Sequence, residues 1–388
     1  MKAIVTGMIA TNALAGVAWD YGQYALGLEH MGFEVYYLED TGVPAYSYNP
    51  ATNSYDDDPR DGVAFLQRAL ASLSPTLAQR WHYRASDDRT FGLEPAAIAE
   101  VAAEADLFLN VSGCTLLRDA YRRCRRAVLI DTDPGWNHFV IFPRWDAKPA
   151  VERRWGWRAH DYFFTYALRL GKPGCPLPTY GYRWHPTVPP VVLHCWQARP
   201  PAQGWSTVMS WNNYDTPITH GGITYGSKDV EFARIELLPQ FAQGSFELLI
   251  NSAGAPPVER WRALGWSVRD ARAISASLEA YRDYIERARG ELSVAKNVYV
   301  ATASGWFSCR SVCYLAAGLP VIVQDTGFSE VLPVGEGLLT FNNLTSAAAA
   351  VATVERDYAR HRAAAYGQAR RFDAQLVLAE ILSVIGMG

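Results

Sequence analysis

The residues best suited to chemistry lie near the C-terminus, at positions 302–339. A loop of small residues there leads into an apolar helix that carries Arg310 and Ser311, and a β-branched strand at 321–323 follows. A polar turn at 325–327 comes directly after this strand. Turns and helix starts of this kind present backbone N–H groups to an anion. The pattern therefore predicts an anion site.

A second cation, Lys228, stands just before a helix that should begin near Asp229. One lysine, one arginine and a helix N-terminus would hold a diphosphate, because each charge-assisted hydrogen bond contributes roughly 1.5–3 kcal/mol. Both cations also have plainer interpretations. Arg310 could be a salt-bridge partner, and Lys228 could be a solvated residue at a helix start.

The same region resembles the nucleotide-sugar site of two-domain glycosyltransferases with the GT-B fold, in particular the group 1 or family 4-like enzymes. The resemblance is carried by AAGLPV at 316–321 and GEGLL at 335–339, and Lys228 matches the basic residue in the first loop of the second domain. The donor-binding residues that this resemblance implies are Lys228, Ser304, Gly305, Arg310, Ser311, Asp325, Thr326, Gly327 and Phe328.

One marker of that family is missing. Many retaining members carry two glutamates eight positions apart before the strand, and this chain has Gly305 and Cys313 at the corresponding positions. Asp325 and Glu330 are possible substitutes for the ribose or sugar contacts. The choice between retention and inversion therefore stays open.

The resemblance places the acceptor in the N-terminal half. Transfer there needs either a base for the acceptor hydroxyl or, with retention, stabilisation of an oxocarbenium-like transition state. Inverting relatives often carry a histidine in the helix after the first strand, and the aligned residue here is Val17. Asp20 is the nearby carboxylate, and a helix dipole would favour its ionised form. Alternatively, Asp20 is only a cap or dipole partner. Gly16 and Trp19 are expected to contact the acceptor.

A second polar cluster, residues 131–138, follows a short apolar strand and should emerge at its C-terminal end. Asp133 or His138 could act as the base, and Trp136 could stack on a sugar or an aglycone. The plainer interpretation is an Asp-Pro-Gly turn with Asx hydrogen bonding. Since GT-B enzymes normally use fixed cations, we expect no metal and no cofactor apart from the donor as co-substrate.

The elements that must position these residues form two α/β halves. In the first half we predict strands at 2–7, 34–38, 106–111, 127–131 and 161–166, with helices at 16–31, 62–73 and 95–105. In the second half we predict strands at 206–211, 245–251 and 297–300, and helices at 229–238, 277–288, 345–361 and 374–385. Ligands are expected at the carboxyl ends of such strands.

A proline-rich stretch, residues 173–201, predicts the linker between the halves. The expected fold class is α/β, with two Rossmann-like domains facing a central cleft. The N-terminal acceptor domain would span 1–190, and the C-terminal nucleotide-sugar domain would span 191–365. By resemblance, residues 366–388 form a helix that crosses back to the first domain. Residues 42–62 are predicted to form a long irregular loop.

Composition narrows the function classes. The 388 residues carry a formal net charge of −3, which argues against nucleic acid as a partner. No G-x-G-x-x-G follows the first strand and no apolar stretch is long enough for a membrane span. The six cysteines are scattered, which indicates reduced thiols and a cytoplasmic location. An arginine cluster at 118–126 is interpreted as the C-terminal end of a helix or, alternatively, as a contact with a membrane surface or a polyanion.

These observations together predict transfer of a sugar from a UDP, GDP or dTDP donor to a hydroxyl of a glycan, lipid or small-molecule acceptor. Two alternatives remain. A nucleotide-sugar epimerase or hydrolase would act on the donor alone, and a degenerate module would bind the donor without turnover.

Overall fold

The computed structural model describes residues 1–42, 47–49, 54–197, 199–200, 204–211, 217–250 and 256–388. The strands of the first half are β1 (Lys2–Thr6), β2 (Glu34–Glu39), β3 (Ser47–Asn49), β4 (Ser54–Asp56), β5 (Trp81–Arg84), β6 (Thr90–Gly92), β7 (Leu107–Val111), β8 (Ala127–Asp131), β9 (Tyr162–Thr165) and β10 (Trp184–Pro186). Within the described residues, an eight-stranded sheet has the order β10-β9-β8-β7-β1-β2-β5-β6. All its neighbours pair parallel except β5 and β6.

The helices of the first half cover both faces of this sheet. They are α1 (Ala15–His30), α2 (Arg60–Leu73), α3 (Pro95–Glu104), α4 (Pro134–Trp136), α5 (Phe142–Asp146) and α6 (Ala150–Arg153). A π-helical turn, Asn137–Ile141, joins α4 to α5. Interruptions of this kind are frequent at functional sites.

The second half has its own sheet, built from β11 (Trp205–Met209), β14 (Phe246–Ile250), β15 (Ser267–Asp270), β16 (Gly290–Ser293), β17 (Val321–Gln324) and β18 (Leu338–Phe341). Its order is β15-β14-β11-β16-β17-β18 and every pairing is parallel. A small hairpin, β12 (Ile218–His220) with β13 (Ile223–Tyr225), stands apart from it.

The helices of the second half are α7 (Lys228–Phe232), α8 (Leu238–Phe241), α9 (Val258–Ala263), α10 (Arg272–Ser275), α11 (Leu278–Glu286), α12 (Asn297–Ala301), α13 (Cys309–Ala316), α14 (Leu344–Arg356), α15 (Tyr358–Ala369) and α16 (Ala374–Val384). Helix α16 contacts α1 of the first half. The approach is close, because a Cβ on Gly27 would lie 2.6 Å from Leu378. In the described part of the chain, no helix is both long and apolar enough to cross a membrane.

The predicted α/β architecture is confirmed, with two local corrections. Residues 297–300 are helical and the strand is β16, seven residues earlier. The β-branched run around Val298 suggested a strand, but Val298 packs against Gly135 of the first half, where a Cβ would lie 2.6 Å away. The predicted helix at 345–361 breaks at Asp357, whose side chain caps α15 by accepting from the N–H of Arg360.

The arginine cluster does not end a helix. It surrounds a 3₁₀ turn, Tyr121–Arg123, and much of its charge is used inside the protein. Arg118 forms two hydrogen bonds with the carboxylate of Asp40, at 2.6 and 2.9 Å, and Arg126 donates to the carbonyl oxygen of Ile385 at 2.8 Å. The stretch 42–62 carries the β3–β4 hairpin, and its residues 43–46 and 50–53 lie outside the described part.

Candidate active site in the cleft between the two sheets

A cavity of about 840 Å³ lies where the carboxyl ends of the two sheets face each other. Residues after β7 and β8 line it from the first half, and residues after β11 and β16 line it from the second. This is the position where open α/β sheets bind their ligands. Of the residues predicted from the sequence, the cavity is lined by Gly16, Asp20, Asp133, Trp136, Lys228 and Arg310.

Lys228 is the unusual cation of this cavity. Its side chain is 9% exposed, and it forms no hydrogen bond or ion pair with any residue that the structure describes. Burial lowers the pKa of Lys228 well below its ordinary value, and the neighbouring charges of Arg310 and Lys296 lower it further. The carboxylate of Glu291 acts in the opposite direction, but it is already bonded to Arg310. A buried ammonium without an ion-pair partner of its own is costly, so the site is suited to receive an anion.

Asn297 fixes the position of Lys228 relative to Lys296. Its backbone N–H donates to the carbonyl oxygen of Ser227 at 3.0 Å, and its side-chain oxygen accepts from the N–H of Gly226 at 2.9 Å. Its side-chain amide also donates to the buried Glu231 at 2.7 Å. The loop before α7 and the start of α12 are therefore held together, which keeps the two lysines on the same wall of the cavity.

Arg310 reaches the cavity with part of its charge already compensated. Its Nε donates to the buried Glu291 at 2.7 Å, and its other nitrogens donate to the carbonyl oxygen of Val208 and the hydroxyl of Ser293 at 2.7 and 2.8 Å. The salt-bridge interpretation of Arg310 is thus confirmed, although the residue also lines the cavity. It ties β11 and β16 to α13.

The N-terminus of α13 also faces the cavity, through Ser308, Cys309 and Arg310. Ser308 caps the helix by accepting from the backbone N–H of Arg310 at 3.2 Å. Helix N-termini carry partial positive charge and unsatisfied N–H groups. The helix end therefore adds to the field of the three cations.

The glycine turn at 325–327 does not line the cavity, and its role in donor binding stays a prediction. Asp325 accepts from the N–H of Gly327 at 2.8 Å, and Thr326 donates to the carbonyl oxygen of Trp306 at 2.6 Å. Phe328 is buried against Phe307. These contacts belong to the turn itself and to its core.

Arg169 of the first half packs closely against two glycines of this region, Gly305 and Gly327. Its N–H donates to the carbonyl oxygen of Ser304 at 3.0 Å, and a Cβ on Gly327 would lie 2.9 Å from its side chain. A Cβ on Gly305 would meet its backbone nitrogen at 3.0 Å. The backbone therefore approaches the protein's own chain here rather than a ligand. Ser304, Gly305 and the buried Ser311 are absent from the cavity lining.

Asp20 lies on the cavity wall, one turn into α1. It caps nothing, since Leu14 is the N-cap and no side chain caps the helix. Its Oδ1 is buried and has no hydrogen-bond partner. Burial raises the pKa of Asp20 to about 7, and the thiol of Cys309 partly opposes this rise. The expected dipole stabilisation of the charge is thus outweighed by desolvation.

Asp133 is engaged across the cleft. Its Oδ2 accepts from Lys296 Nζ at 2.6 Å, and its Oδ1 accepts from the hydroxyl of Tyr299 at 2.6 Å and from the N–H of Trp136 at 3.4 Å. Both oxygens are therefore occupied, and the carboxylate joins the two halves. As a base, Asp133 would first have to release these donors.

Two predicted residues are turned away from the cavity. His138 is fully buried, with Nδ1 2.7 Å from the carbonyl oxygen of Pro178 and Nε2 3.2 Å from Asp131, so neither nitrogen is available to a substrate. Trp19 is buried as well, and its indole N–H donates to the carbonyl oxygen of Leu278 at 3.1 Å. For both residues, contact with substrate stays a prediction, and it would require these side chains to leave their present hydrogen bonds.

We expect Asp133→Asn to lower the thermal midpoint while leaving the pH dependence of any turnover unchanged. The substitution removes a charge-assisted hydrogen bond, and such bonds contribute about 1.5–3 kcal/mol. Differential scanning fluorimetry measures the midpoint. Glu259→Gln is the matched control, since the Glu259–Arg262 pair is exposed and should contribute less than about 1 kcal/mol. Equal midpoints for the two variants would contradict the role of Asp133 as a link between the halves.

The sequence pointed to Trp136 but not to Lys296, Tyr299 or the other cavity-lining tryptophans of the first half, Trp145, Trp155 and Trp157. Lys296 follows β16 and stands at a strand's carboxyl end, so a correct placement of that strand would have found it. Among the described residues there is no group of three or more His, Cys, Asp or Glu side chains placed to hold a metal ion.

The chain has the GT-B fold, the architecture of a large class of glycosyltransferases. It resembles AviGT4, a glycosyltransferase involved in avilamycin A biosynthesis, at 12% identity over 99% of this chain and 96% of that one, with a TM-score of 0.50. It also resembles Anabaena HepE, solved in complex with UDP and glucose, at 11% identity over 99% of both chains, with a TM-score of 0.54. No protein-family model and no curated protein matches the sequence.

Proposed function

We propose that this protein is a glycosyltransferase that moves a sugar from a nucleoside diphosphate to a hydroxyl group of an acceptor. The observation that carries the proposal is the buried Lys228, which has no ion-pair partner among the described residues and lies near the charges of Lys296 and Arg310. A diphosphate supplies the missing negative charge. The GT-B fold supports this reading, and the similar HepE structure holds UDP and glucose.

The three cations would act mainly on the leaving group. As the bond between the anomeric carbon and the phosphate oxygen breaks, negative charge grows on the diphosphate, and fixed cations in a partly dry cleft stabilise that charge. The N-terminus of α13 adds its own N–H groups. We propose that these fixed groups, rather than a metal ion, neutralise the leaving diphosphate.

Asp20 is the proposed base. Its carboxylate would accept the proton of the acceptor hydroxyl while the acceptor oxygen bonds to the anomeric carbon and the nucleoside diphosphate leaves. A base with a pKa of about 7 is well matched to this task near neutral pH. Displacement in a single step inverts the anomeric configuration, so we propose an inverting transferase.

A thermal-shift screen tests the donor assignment. UDP, GDP and dTDP are compared with their nucleosides and with the corresponding diphosphate sugars. A ligand at 100 times its Kd should stabilise the protein by about 2.7 kcal/mol. We expect one base to be preferred and the nucleosides to have little effect, because the diphosphate carries the charge. Equal shifts from a nucleoside and its diphosphate would contradict the site.

Incubating the preferred donor without an acceptor separates the related activities. A transferase should release free sugar slowly from the donor alone. When an acceptor is present, transfer to that acceptor should be faster than this release. Rapid hydrolysis or epimerisation of the donor alone would favour the alternative enzymes instead. Binding without any turnover would favour a non-catalytic module.

A further inference from the structure

The first-half wall of the cavity is rich in tryptophan. Trp136, Trp145, Trp155 and Trp157 all line it. Gly156 allows Trp145 to pack closely against the chain between Trp155 and Trp157, because a Cβ there would lie 2.8 Å from the ring of Trp145. Trp157 is almost fully buried and backs the wall, whereas the other three rings are partly exposed.

The indole N–H groups of two of these tryptophans already donate hydrogen bonds within the protein. The N–H of Trp155 donates to Asp119 at 3.1 Å, and the N–H of Trp157 donates to Asp146 at 3.2 Å. Arginines neutralise the two carboxylates, with Arg154 at 2.8 Å from Asp119 and Arg158 at 2.7 Å from Asp146. The surface that Trp155 and Trp157 offer to the cavity is therefore apolar ring.

Several uncharged polar side chains on the same wall bond to other side chains of the protein. The hydroxyls of Ser112 and Thr132 are 2.6 Å apart, and the side-chain amide of Asn137 donates to Asp131 at 2.7 Å. His160 lies between Asn110 and the carbonyl oxygen of Trp157, and burial lowers its pKa to about 4. A glycan with many hydroxyl groups would find few uncharged partners free here, and burying its hydroxyl groups unpaired is costly.

Cations surround the exposed rings. The guanidinium of Arg144 lies 5.5 Å from the ring centre of Trp136, and Lys148 lies 4.2 Å from that of Trp145. Lys148 pairs with Glu152 at 3.2 Å, whereas Arg144 forms no ion pair with any residue in the described ranges. Positive charge at this wall disfavours a cationic ligand and favours an electron-rich or anionic one.

We infer that the acceptor is an aromatic hydroxyl compound, neutral or anionic, whose ring stacks on Trp136, Trp145 and Trp155. Stacked aromatic pairs bind more tightly than the area they bury would give by itself. The role of this compound as the acceptor rests on the proposed function. The binding itself does not, because the wall lies in the first half and needs no donor.

Isothermal titration calorimetry without any donor tests this inference, with naphthol, naphthoate, naphthylmethylamine and maltose as probes. We expect naphthol and naphthoate to bind, naphthylmethylamine to bind at least about tenfold more weakly, and maltose to show no heat of binding. Binding of maltose in preference to naphthol, or of the amine as tightly as naphthoate, would overturn the inference.

Trp145→Leu keeps an apolar side chain but removes the stacking ring, and it should weaken naphthol binding about fivefold or more while leaving nucleotide binding unchanged. Trp184→Leu is the matched control, since Trp184 is a half-buried ring of the same half that does not line the cavity. Unaltered naphthol binding in a folded Trp145→Leu protein would contradict the site. If nucleotides bind and naphthol does not, this inference fails and the proposed function stands. If naphthol binds and nucleotides do not, the aromatic site stands and the donor assignment fails.

Discussion

Replacing Lys228 with methionine is expected to weaken binding of the nucleoside diphosphate strongly while making the free protein more stable. The two effects have the same cause. In the free protein the ammonium is buried without a partner, so removing it relieves an unfavourable charge. In the complex the diphosphate compensates that charge, so removing it loses a charge-assisted hydrogen bond.

The size of the binding effect follows from such hydrogen bonds. A loss of about 1.5–3 kcal/mol corresponds to a roughly 10- to 150-fold increase in Kd. Methionine has a similar length and fills the same space, so a cavity should not form. Calorimetry gives the Kd, and fluorimetry gives the thermal midpoint of the ligand-free variant.

The pH dependence provides a second readout. Because burial holds the pKa of Lys228 well below its ordinary value, the unfolded chain binds more protons than the folded chain between the two values. The stability of the wild type should therefore rise with pH in that interval, and the advantage of Lys228→Met should shrink. Donor binding should take up protons and weaken as pH rises, since the diphosphate favours the charged lysine.

Lys172→Met is the control for Lys228→Met, because Lys172 is exposed and lies outside the cavity. It should change neither the midpoint nor the affinity appreciably. A Lys228→Met protein that is less stable than the wild type and binds UDP, GDP and dTDP equally well would show that Lys228 is an ordinary structural residue. The donor assignment would then lose its main support.

The sequence predicts the parts of this molecule that depend on local pattern. Alternating strand and helix signals placed eight of the fourteen described strands of the two large sheets. Lys228 and Asp20 stand at a helix start and in the first turns of a helix, where the chain emerges toward a cleft. Side chains at such positions face the carboxyl ends of parallel strands whatever the distant sequence is. The two residues reach the cavity for this reason.

The sequence does not predict the features that depend on contacts between distant segments. The glycine turn at 325–327 has the pattern of an anion site, but Arg169 fills the approach from more than 150 positions away. The sequence left His138 as a candidate base. In the structure both of its ring nitrogens lie within hydrogen-bonding distance of the protein's own groups, the carbonyl oxygen of Pro178 and the carboxylate of Asp131. A glycine indicates that another group approaches the backbone closely. The sequence does not show whether that group belongs to a ligand or to the protein itself.

Asp20→Asn is expected to lower kcat for transfer by about 10²- to 10⁴-fold, the usual contribution of a general base. Asparagine has nearly the same shape and cannot accept the hydroxyl proton, so the Kd for the donor should change less than about twofold. Steady-state transfer assays and calorimetry measure the two quantities separately.

The pH profile assigns the loss to the proton. In the wild type, kcat/KM should rise as pH increases through about 7, because only ionised Asp20 can act as the base. Asp20→Asn should lose this rise, whereas Asp133→Asn should keep it, since Asp133 bonds to Lys296 and Tyr299. A rise that survives in Asp20→Asn would place the base elsewhere.

Stability gives an assay for Asp20 that needs no substrate. The folded pKa of Asp20, about 7, lies above the unfolded value of 3.8, so the folded chain binds more protons between these values. Its favourable contribution is complete below 3.8 and is lost as pH rises through about 7. Asparagine is neutral throughout, so Asp20→Asn should gain stability relative to the wild type at pH 8 compared with pH 5. Parallel unfolding midpoints at the two pH values would mean that Asp20 ionises freely in the folded protein, and it would then lack the raised pKa that suits it to act as the base.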